Sequence, residues 1–123
     1  MLKPKILVIE DEEGIRRFIG KALEADFEVH EAADGEEGLK QARWIKPALI
    51  LLDLRMPGLD GLTVLAKLKG NKETSAFPVI IVSAHGETDA LLATQRGGAI
   101  DHIIKPFSIE ELRKAIGKHV LLT

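Results

Sequence analysis

The sequence predicts an α/β fold in which helices cover a mostly parallel sheet. Two observations support this prediction. Five short apolar runs alternate along the chain with longer segments whose apolar residues have helical spacing, the pattern of repeated β–α units. Three of the runs are continuously apolar, as expected of strands that are buried on both faces. We therefore expect five strands and five helices.

The strands differ in their expected position within the sheet. The three continuous runs, at residues 6–9, 48–52 and 79–82, are predicted to be central strands. Two further runs, at residues 27–30 and 100–104, mix apolar with polar positions. Such mixing suits a strand with one exposed side, so these two are predicted to be edge strands.

Apolar residues at helical intervals mark three helices clearly. The predicted faces are Ile15, Phe18, Ile19, Ala22 and Leu23 for the first helix, Leu62, Leu65 and Leu68 for the third, and Ile109, Leu112 and Ile116 for the fifth. Weaker patterns at residues 35–45 and 87–96 predict the second and fourth helices. Trp44 is expected to cover the core at the end of the second helix.

Residues that commonly cap helices precede three of these segments. Asp11, Asp34 and Ser108 are the expected N-caps. Glu111 follows Ser108 by three positions, which is the spacing of a capping box. The helix starts are therefore well marked in the sequence.

The composition predicts one globular domain over residues 1–123. The chain is 46% hydrophobic and 29% charged, which is too apolar for a disordered segment. Seventeen Lys and Arg against nineteen Asp and Glu give no basic excess for nucleic acid or an anionic membrane. Cysteine is absent, which excludes thiolate chemistry and favours a reducing compartment such as the cytoplasm. No apolar run is long enough to span a membrane.

Polar side chains follow four of the predicted strands. Glu10 and Asp11 follow the first strand, Asp53 the third, Ser83 the fourth and Lys105 the fifth. The carboxyl ends of parallel strands share one edge of a sheet, so we expect these side chains to converge. Clustered carboxylates repel one another unless a cation neutralises them. Magnesium is the predicted cation, because it prefers oxygen ligands and commonly bridges carboxylates to phosphate.

Four motifs at these strand ends resemble those of response-regulator receiver domains. They are IEDEE, LLDLRMPGLDG, VSAHG and IIKPF, in this order along the chain. The resemblance covers essentially the whole sequence. It implies a (βα)5 flavodoxin-like arrangement with strand order 2-1-3-4-5 and helices on both faces of the sheet.

The resemblance also implies roles for the acidic residues. Asp53 matches the phosphoacceptor, whose carboxylate attacks a histidyl-phosphate donor. Asp11 matches a direct Mg²⁺ ligand, and Glu10 matches its neighbour, which acts through water. Arg55 matches the position whose backbone carbonyl completes the protein ligands of the metal.

Further roles follow from the same resemblance. Ser83 matches the hydroxyl that moves to the phosphoryl group, Lys105 the lysine that contacts it, and Pro106 a proline that follows a cis peptide bond. His102 occupies the position of an aromatic ring that turns inward on activation and reshapes the surface formed by helix 4, strand 5 and helix 5. His85, like Arg55, flanks the site and is expected either to tune access of water to the acyl phosphate or to have no kinetic effect.

The implied function is that of a signalling switch that assists only its own phosphorylation and slow dephosphorylation. Its expected partners are a sensor histidine kinase or a histidine phosphotransfer protein, and a downstream protein or fused output domain. The expected state is a monomer or a phosphorylation-dependent dimer. The chain ends at Thr123, which leaves open a stand-alone regulator or the receiver of a longer one.

Two other classes of protein share parts of this pattern. A flavodoxin-type electron carrier would need a phosphate-binding loop after the first strand, but the acids of Asp11, Glu12 and Glu13 would repel a flavin phosphate. An aspartyl phosphatase of the haloacid dehalogenase type also uses carboxylates, Mg²⁺ and lysine. Such an enzyme carries its nucleophile after the first strand, whereas the candidate here, Asp53, follows the third.

Overall fold

The computed structural model describes residues 2–84 and 88–120 and contains five strands alternating with five helices. The strands are β1 (Lys5–Ile9), β2 (Glu28–Ala32), β3 (Leu49–Asp53), β4 (Val79–Ala84) and β5 (Asp101–Lys105). The helices are α1 (Glu13–Leu23), α2 (Gly35–Ile45), α3 (Gly61–Gly70), α4 (Thr88–Gln95) and α5 (Ile109–Gly117). None of the helices in these described ranges is long and apolar enough to cross a membrane.

All five strands form one parallel sheet with the order β2-β1-β3-β4-β5. This is the flavodoxin-like arrangement, and it confirms the predicted fold class. β1, β3 and β4 lie in the middle and are almost wholly buried, whereas β2 and β5 lie at the edges and expose part of their residues. The assignment of central and edge strands is therefore confirmed.

The core has two layers because successive residues of a strand point to opposite faces of the sheet. Leu7 and Ile50 pack on the face that α2, α3 and α4 cover. Ile6 and Leu49, one position earlier in each strand, pack on the face that α1 and α5 cover. Continuous apolar strands are thus required, since both sides of β1 and β3 meet helices.

Two of the three expected N-caps are confirmed, and one is wrong. Asp34 accepts a hydrogen bond from the backbone of Glu37, and Ser108 forms a complete capping box. Asp11 does not cap α1, because the N-cap is Glu12 and no side chain caps this helix. The Asp11 carboxylate instead joins two other acids at the end of the sheet. Asp60, which the sequence analysis missed, caps α3.

The expected burial of Trp44 is also wrong. Its side chain is 87% exposed. Leu39, Ala42 and Ile45 form the inner face of α2. Successive residues of a helix are rotated by about 100°, which places Trp44 on the side of α2 opposite to that face. Phe18 of the predicted α1 face is likewise 42% exposed.

Candidate functional site

The residues predicted to form a site lie at the carboxyl ends of the strands. Ile9 ends β1 and is followed by Glu10 and Asp11, Asp53 ends β3, and Lys105 ends β5. In the sheet register, Asp53 lies beside Val82 of β4, and Lys105 lies beside Ala84. Because the strands are parallel, one edge of the sheet collects all of these side chains.

Glu10, Asp11 and Asp53 form an acidic cluster at this edge. One carboxylate oxygen from each residue lies within 4.8 Å of the others. Glu10 and Asp53 are only 1% and 3% exposed. Three ionised carboxylates this close together repel one another, so a nearby positive charge would stabilise the cluster.

Lys105 supplies one positive charge to this cluster. Its Nζ lies 3.0 Å from Glu10 Oε1 and 3.5 Å from Asp53 Oδ1. Burial tends to lower the pKa of Lys105, but the contacts with Glu10 and Asp53 outweigh that effect and raise it. Lys105 is therefore a fixed ammonium between two acids.

One ammonium does not compensate the buried acids. Burial raises the pKa of Glu10 from 4.5 to about 7, although Lys105 and the backbone of Glu12 oppose the shift. Burial also raises the pKa of Asp53, with Lys105 again opposing it. Both shifts indicate that the site is short of positive charge, so binding of a cation beside these acids would be favoured.

The hydrogen bonds of the cluster leave room for such a cation. Glu10 Oε2 accepts a hydrogen bond from the Glu12 amide at 3.2 Å, and Asp53 Oδ1 accepts one from the Arg55 amide at 3.3 Å. Glu10 Oε1 forms the ion pair with Lys105 but is buried without an aligned hydrogen-bond donor among the described residues. Three converging carboxylates are a set of oxygen ligands that fits a hard divalent metal.

Arg16 of α1 binds the backbone of Glu10 and Asp11, a role that the sequence analysis missed. Its Nη1 donates hydrogen bonds to the carbonyls of Glu10 and Asp11 at 2.8 and 3.2 Å. Its Nε donates to Glu31 of β2 at 3.3 Å. The guanidinium therefore fixes the backbone that carries two of the three acids. In the sequence, the only sign of this role is that Arg16 follows Asp11 by five residues. That spacing does not distinguish Arg16 from a solvated arginine on a helix.

Ser83 reaches the same edge from β4. It is 1% exposed, and its Oγ has no hydrogen-bond partner in the part of the chain that is described. A buried hydroxyl without a partner costs roughly 1–3 kcal/mol. This hydroxyl is therefore ready to bond a group that enters the site.

The other predicted residues have different outcomes. The Lys105–Pro106 peptide bond is cis, as the resemblance implied. Arg55 contributes its amide to Asp53, and the metal-binding role of its carbonyl stays a prediction. His102 is exposed on β5 and does not touch the cluster. His85 lies outside the described residues.

An apolar concavity adjoins the cluster on the side of α1. It has a volume of about 420 Å³ and is lined by Gly14, Ile15, Phe18, Lys105, Pro106 and Phe107. The rings of Phe18 and Phe107 lie 6.0 Å apart at an interplanar angle of 55°. The exposure of Phe18 is thus part of an apolar surface directly beside the acids.

Comparison with known protein families and sequences gives a consistent result. The family model described as "Response regulator receiver domain" matches residues 6–117. The chain is 35% identical to sporulation initiation phosphotransferase F of Bacillus subtilis over 123 residues, which is 99% of this chain and 98% of that protein. It is 41% identical over 109 residues to the transcriptional regulatory protein SrrA of Staphylococcus aureus, covering 88% of this chain but only 44% of SrrA.

Solved structures show the same architecture. The chemotaxis protein CheY4 of Vibrio cholerae superposes with a TM-score of 0.89 at 25% identity, covering 96% of this chain and 99% of CheY4. NtrX of Brucella abortus gives a TM-score of 0.86 at 31% identity, covering 96% of this chain and 27% of NtrX. With the family match over residues 6–117 and the acidic cluster at the strand ends, these likenesses show that the chain belongs to the response regulator receiver domain family.

Proposed function

We propose that Asp53 is the phosphoacceptor of a two-component phosphorelay and takes its phosphoryl group from a phosphohistidine. The donor is a sensor histidine kinase or a histidine phosphotransfer protein. The observation that carries the proposal is the position of Asp53 at the end of β3, buried among acids with the Lys105 ammonium 3.5 Å away. The same proposal treats residues 1–123 as one receiver domain.

The transfer is a displacement at phosphorus. A carboxylate oxygen of Asp53 attacks the phosphorus, and the bond between phosphorus and the imidazole nitrogen of the donor breaks. The electron pair leaves with the imidazole, and the product is an acyl phosphate on Asp53. Lys105, an ammonium on a flexible stem, supports this step by facing the transferred phosphoryl oxygens.

We assign the acidic cluster to Mg²⁺. Asp11 and Asp53 would hold the ion directly, Glu10 through water, and the Arg55 carbonyl would complete the protein ligands. When bound, Mg²⁺ neutralises the carboxylates and the charge on the phosphoryl oxygens, without which the acids would repel the donor. The three carboxylates, each with an oxygen within 4.8 Å of the others, support this assignment.

The switch that follows phosphorylation is assigned to Ser83 and His102. The buried Ser83 hydroxyl, which has no partner among the described residues, gains one by donating to a phosphoryl oxygen. His102 lies on β5 between α4 and α5, and inward rotation of its ring would change the surface that these three elements form. A phosphoryl group shifts this equilibrium only if it binds the active arrangement more tightly.

Partners are expected to use two surfaces. The apolar concavity beside Lys105 suits the donor protein, because apolar contact there would bring a phosphohistidine to Asp53. The surface of α4, β5 and α5 suits a downstream protein or a fused output domain, either to a monomer or in a phosphorylation-dependent dimer. We place this phosphorelay in the cytoplasm, in keeping with the absence of cysteine.

Phosphorylation by acetyl phosphate tests the assignment. Wild type should be labelled when Mg²⁺ is present and should not be labelled in EDTA, and Asp53→Asn should not be labelled at all. Asp60→Asn is the matched control, because Asn also caps a helix well and α3 should be unaffected. Labelling of Asp53→Asn at the wild-type rate would exclude Asp53 as the acceptor. Sustained turnover of a phosphomonoester would instead favour the phosphatase class.

A further inference from the structure

Trp44 is a conspicuous feature of the surface far from the phosphorylation site. It is the only tryptophan of the chain, and its side chain is 87% exposed near the end of α2. Leaving a large aromatic ring in water forgoes its burial energy, and tryptophan is among the residues most enriched at the energetic centres of protein interfaces. An exposed Trp44 is therefore a candidate contact for another molecule, since the described residues do not cover it.

The ring lies on a strongly basic part of an otherwise acidic protein. Residues 38–48 and 61–72, which contain most of α2 and all of α3, carry six of the seventeen Lys and Arg and no Asp or Glu. The rest of the chain carries eleven Lys and Arg against nineteen Asp and Glu. Since α2 packs against α3, the two basic segments lie side by side.

Three cations of these two segments are available to a ligand. Lys40, Arg43 and Lys67 are exposed, and none of them forms an ion pair within the described ranges. Lys69 differs, because it is half-buried and donates hydrogen bonds to two backbone carbonyls of the α3–β4 connection. Lys69 is structural, whereas the other three point to solvent without an ion pair in the described part of the chain.

The surface is concave on both sides of Arg43. A depression of about 600 Å³ is lined by Trp44, Lys40 and Arg43 among others. A second depression of about 420 Å³ is lined by Leu39, Arg43 and Lys67 among others. We call the residues Leu39, Lys40, Arg43, Trp44 and Lys67 the basic groove.

The basic groove lies far from the acidic cluster. Helices in a parallel β–α–β unit run opposite to their strands, so α2 and α3 begin at the edge that carries Asp53 and end at the other edge. The close approach of Gly61 to the backbone of Asp53 shows this for the start of α3. A molecule in the groove would leave Asp53 accessible.

We propose that the basic groove docks an acidic segment of a partner protein that places an apolar side chain against Trp44. The uncompensated cations select negative charge, and the exposed indole and Leu39 select apolar surface. Glu37 and Glu73 also line the larger depression, so the groove lacks the unbroken positive charge that a phosphate backbone requires. A peptide whose acidic residues are spaced apart can pair with the cations and avoid these two acids, and is favoured over nucleic acid. This surface is independent of the proposed phosphorylation and would anchor a partner in both states of the switch.

Selection from a phage-displayed library of random peptides tests the proposal with the intact protein as bait. Enriched peptides should combine Asp or Glu with a large apolar residue, and the most enriched peptide should shift the fluorescence of Trp44. By calorimetry, Trp44→Ser and the double variant Arg43→Glu/Lys67→Glu should each weaken that peptide by about tenfold or more. Lys114→Glu, which reverses an exposed cation on α5, is the matched control and should bind as wild type does.

Several results would overturn the proposal. They are failure of the library to enrich any peptide, enrichment without acidic residues, or binding that the groove variants do not weaken. Tighter binding of duplex DNA or of poly-uridine RNA that the double variant abolishes would assign the groove to nucleic acid. Concentration-dependent self-association that Trp44→Ser abolishes would assign it to a second copy of the chain.

Discussion

The Lys105 ammonium lies closer to Glu10 than to Asp53, at 3.0 Å from Oε1 of the first and 3.5 Å from Oδ1 of the second. The lysine therefore compensates Glu10 as well as Asp53, the proposed phosphoacceptor. A metal that neutralised Glu10 and its neighbours would release Lys105 to face the phosphoryl group.

Substitution of Glu10 by Gln should change how the stability of the metal-free protein depends on pH. Burial raises the pKa of Glu10 from 4.5 to about 7. Below about pH 4.5 the carboxyl is protonated in both the folded and unfolded states, and above about pH 7 the folded state must hold a buried charge that the unfolded state hydrates. The contribution of Glu10 therefore becomes destabilising as pH rises between these values.

The measurement is urea unfolding in EDTA. The stability of Glu10→Gln relative to wild type should increase by about 2 kcal/mol between about pH 5 and about pH 8. Saturating Mg²⁺ should reduce the difference, because the metal then stabilises the ionised acid in the wild type. Parallel pH profiles for the two proteins would contradict the raised pKa.

Substitution of Arg16 by Met should weaken Mg²⁺ binding without unfolding the protein. Arg16 fixes the carbonyls of Glu10 and Asp11, and mobile ligands bind a metal less tightly; loss of an outer-shell partner typically costs 10–100-fold in affinity. Calorimetric titration with Mg²⁺ should show a loss in about this range. Asp11→Ala, which removes a predicted ligand, should bind still more weakly.

Arg17→Met is the matched control for Arg16. Arg17 is the next residue of α1, but it is exposed and pairs with Glu13 one turn earlier. Its substitution should leave Mg²⁺ affinity unchanged. Arg16→Lys should recover part of the lost affinity, since an ammonium can bond one of the two carbonyls. Equal losses in Arg16→Met and Arg17→Met would show a nonspecific charge effect.

Substitution of Lys105 by Ala should separate metal binding from switching. The ammonium repels a cation, so Mg²⁺ affinity should be retained or increased when it is removed. The acyl phosphate or a beryllofluoride mimic should then fail to change the NMR spectrum of α4, β5 and α5. A spectral change equal to that of wild type would exclude Lys105 from the switch, and Lys114→Ala serves as the exposed-lysine control.

Substitution of His102 by Phe should make the switch less sensitive to acid. His102 is exposed in this structure, and a protonated imidazole would resist the desolvation that inward rotation requires. With the beryllofluoride mimic bound, the active population of wild type should fall as pH drops from about 8 to about 5.5. NMR would report this population in both proteins.

A second histidine must be separated from this effect. His119 Nε2 lies 3.2 Å from Oδ2 of Asp101, and Asp101 is the residue immediately before His102. His119→Gln should therefore keep the pH dependence that His102→Phe loses. If wild type and His102→Phe respond alike, His102 is not part of the switch.

The sequence by itself determined the fold class and the members of the acidic site. Continuous apolar runs can be buried only between two layers of helices, so β1, β3 and β4 were recognisable as central strands. Parallel strands bring their carboxyl ends to one edge, so residues as distant as Glu10 and Lys105 were predicted to meet. Periodicity and strand polarity are local properties, which is why the printed sequence was enough.

Only the tertiary structure decided how neighbouring side chains share their contacts. Asp11 has the residue type of an N-cap, but its carboxylate lies with two other acids, and Arg16 bonds the backbone behind it. Trp44 has the residue type of a core residue, but smaller residues of α2 form the face that packs on the core, and the indole of Trp44 is exposed to solvent. The residue type determines which chemistry a side chain can perform. The direction in which the side chain points depends on how its helix or loop packs against the rest of the fold.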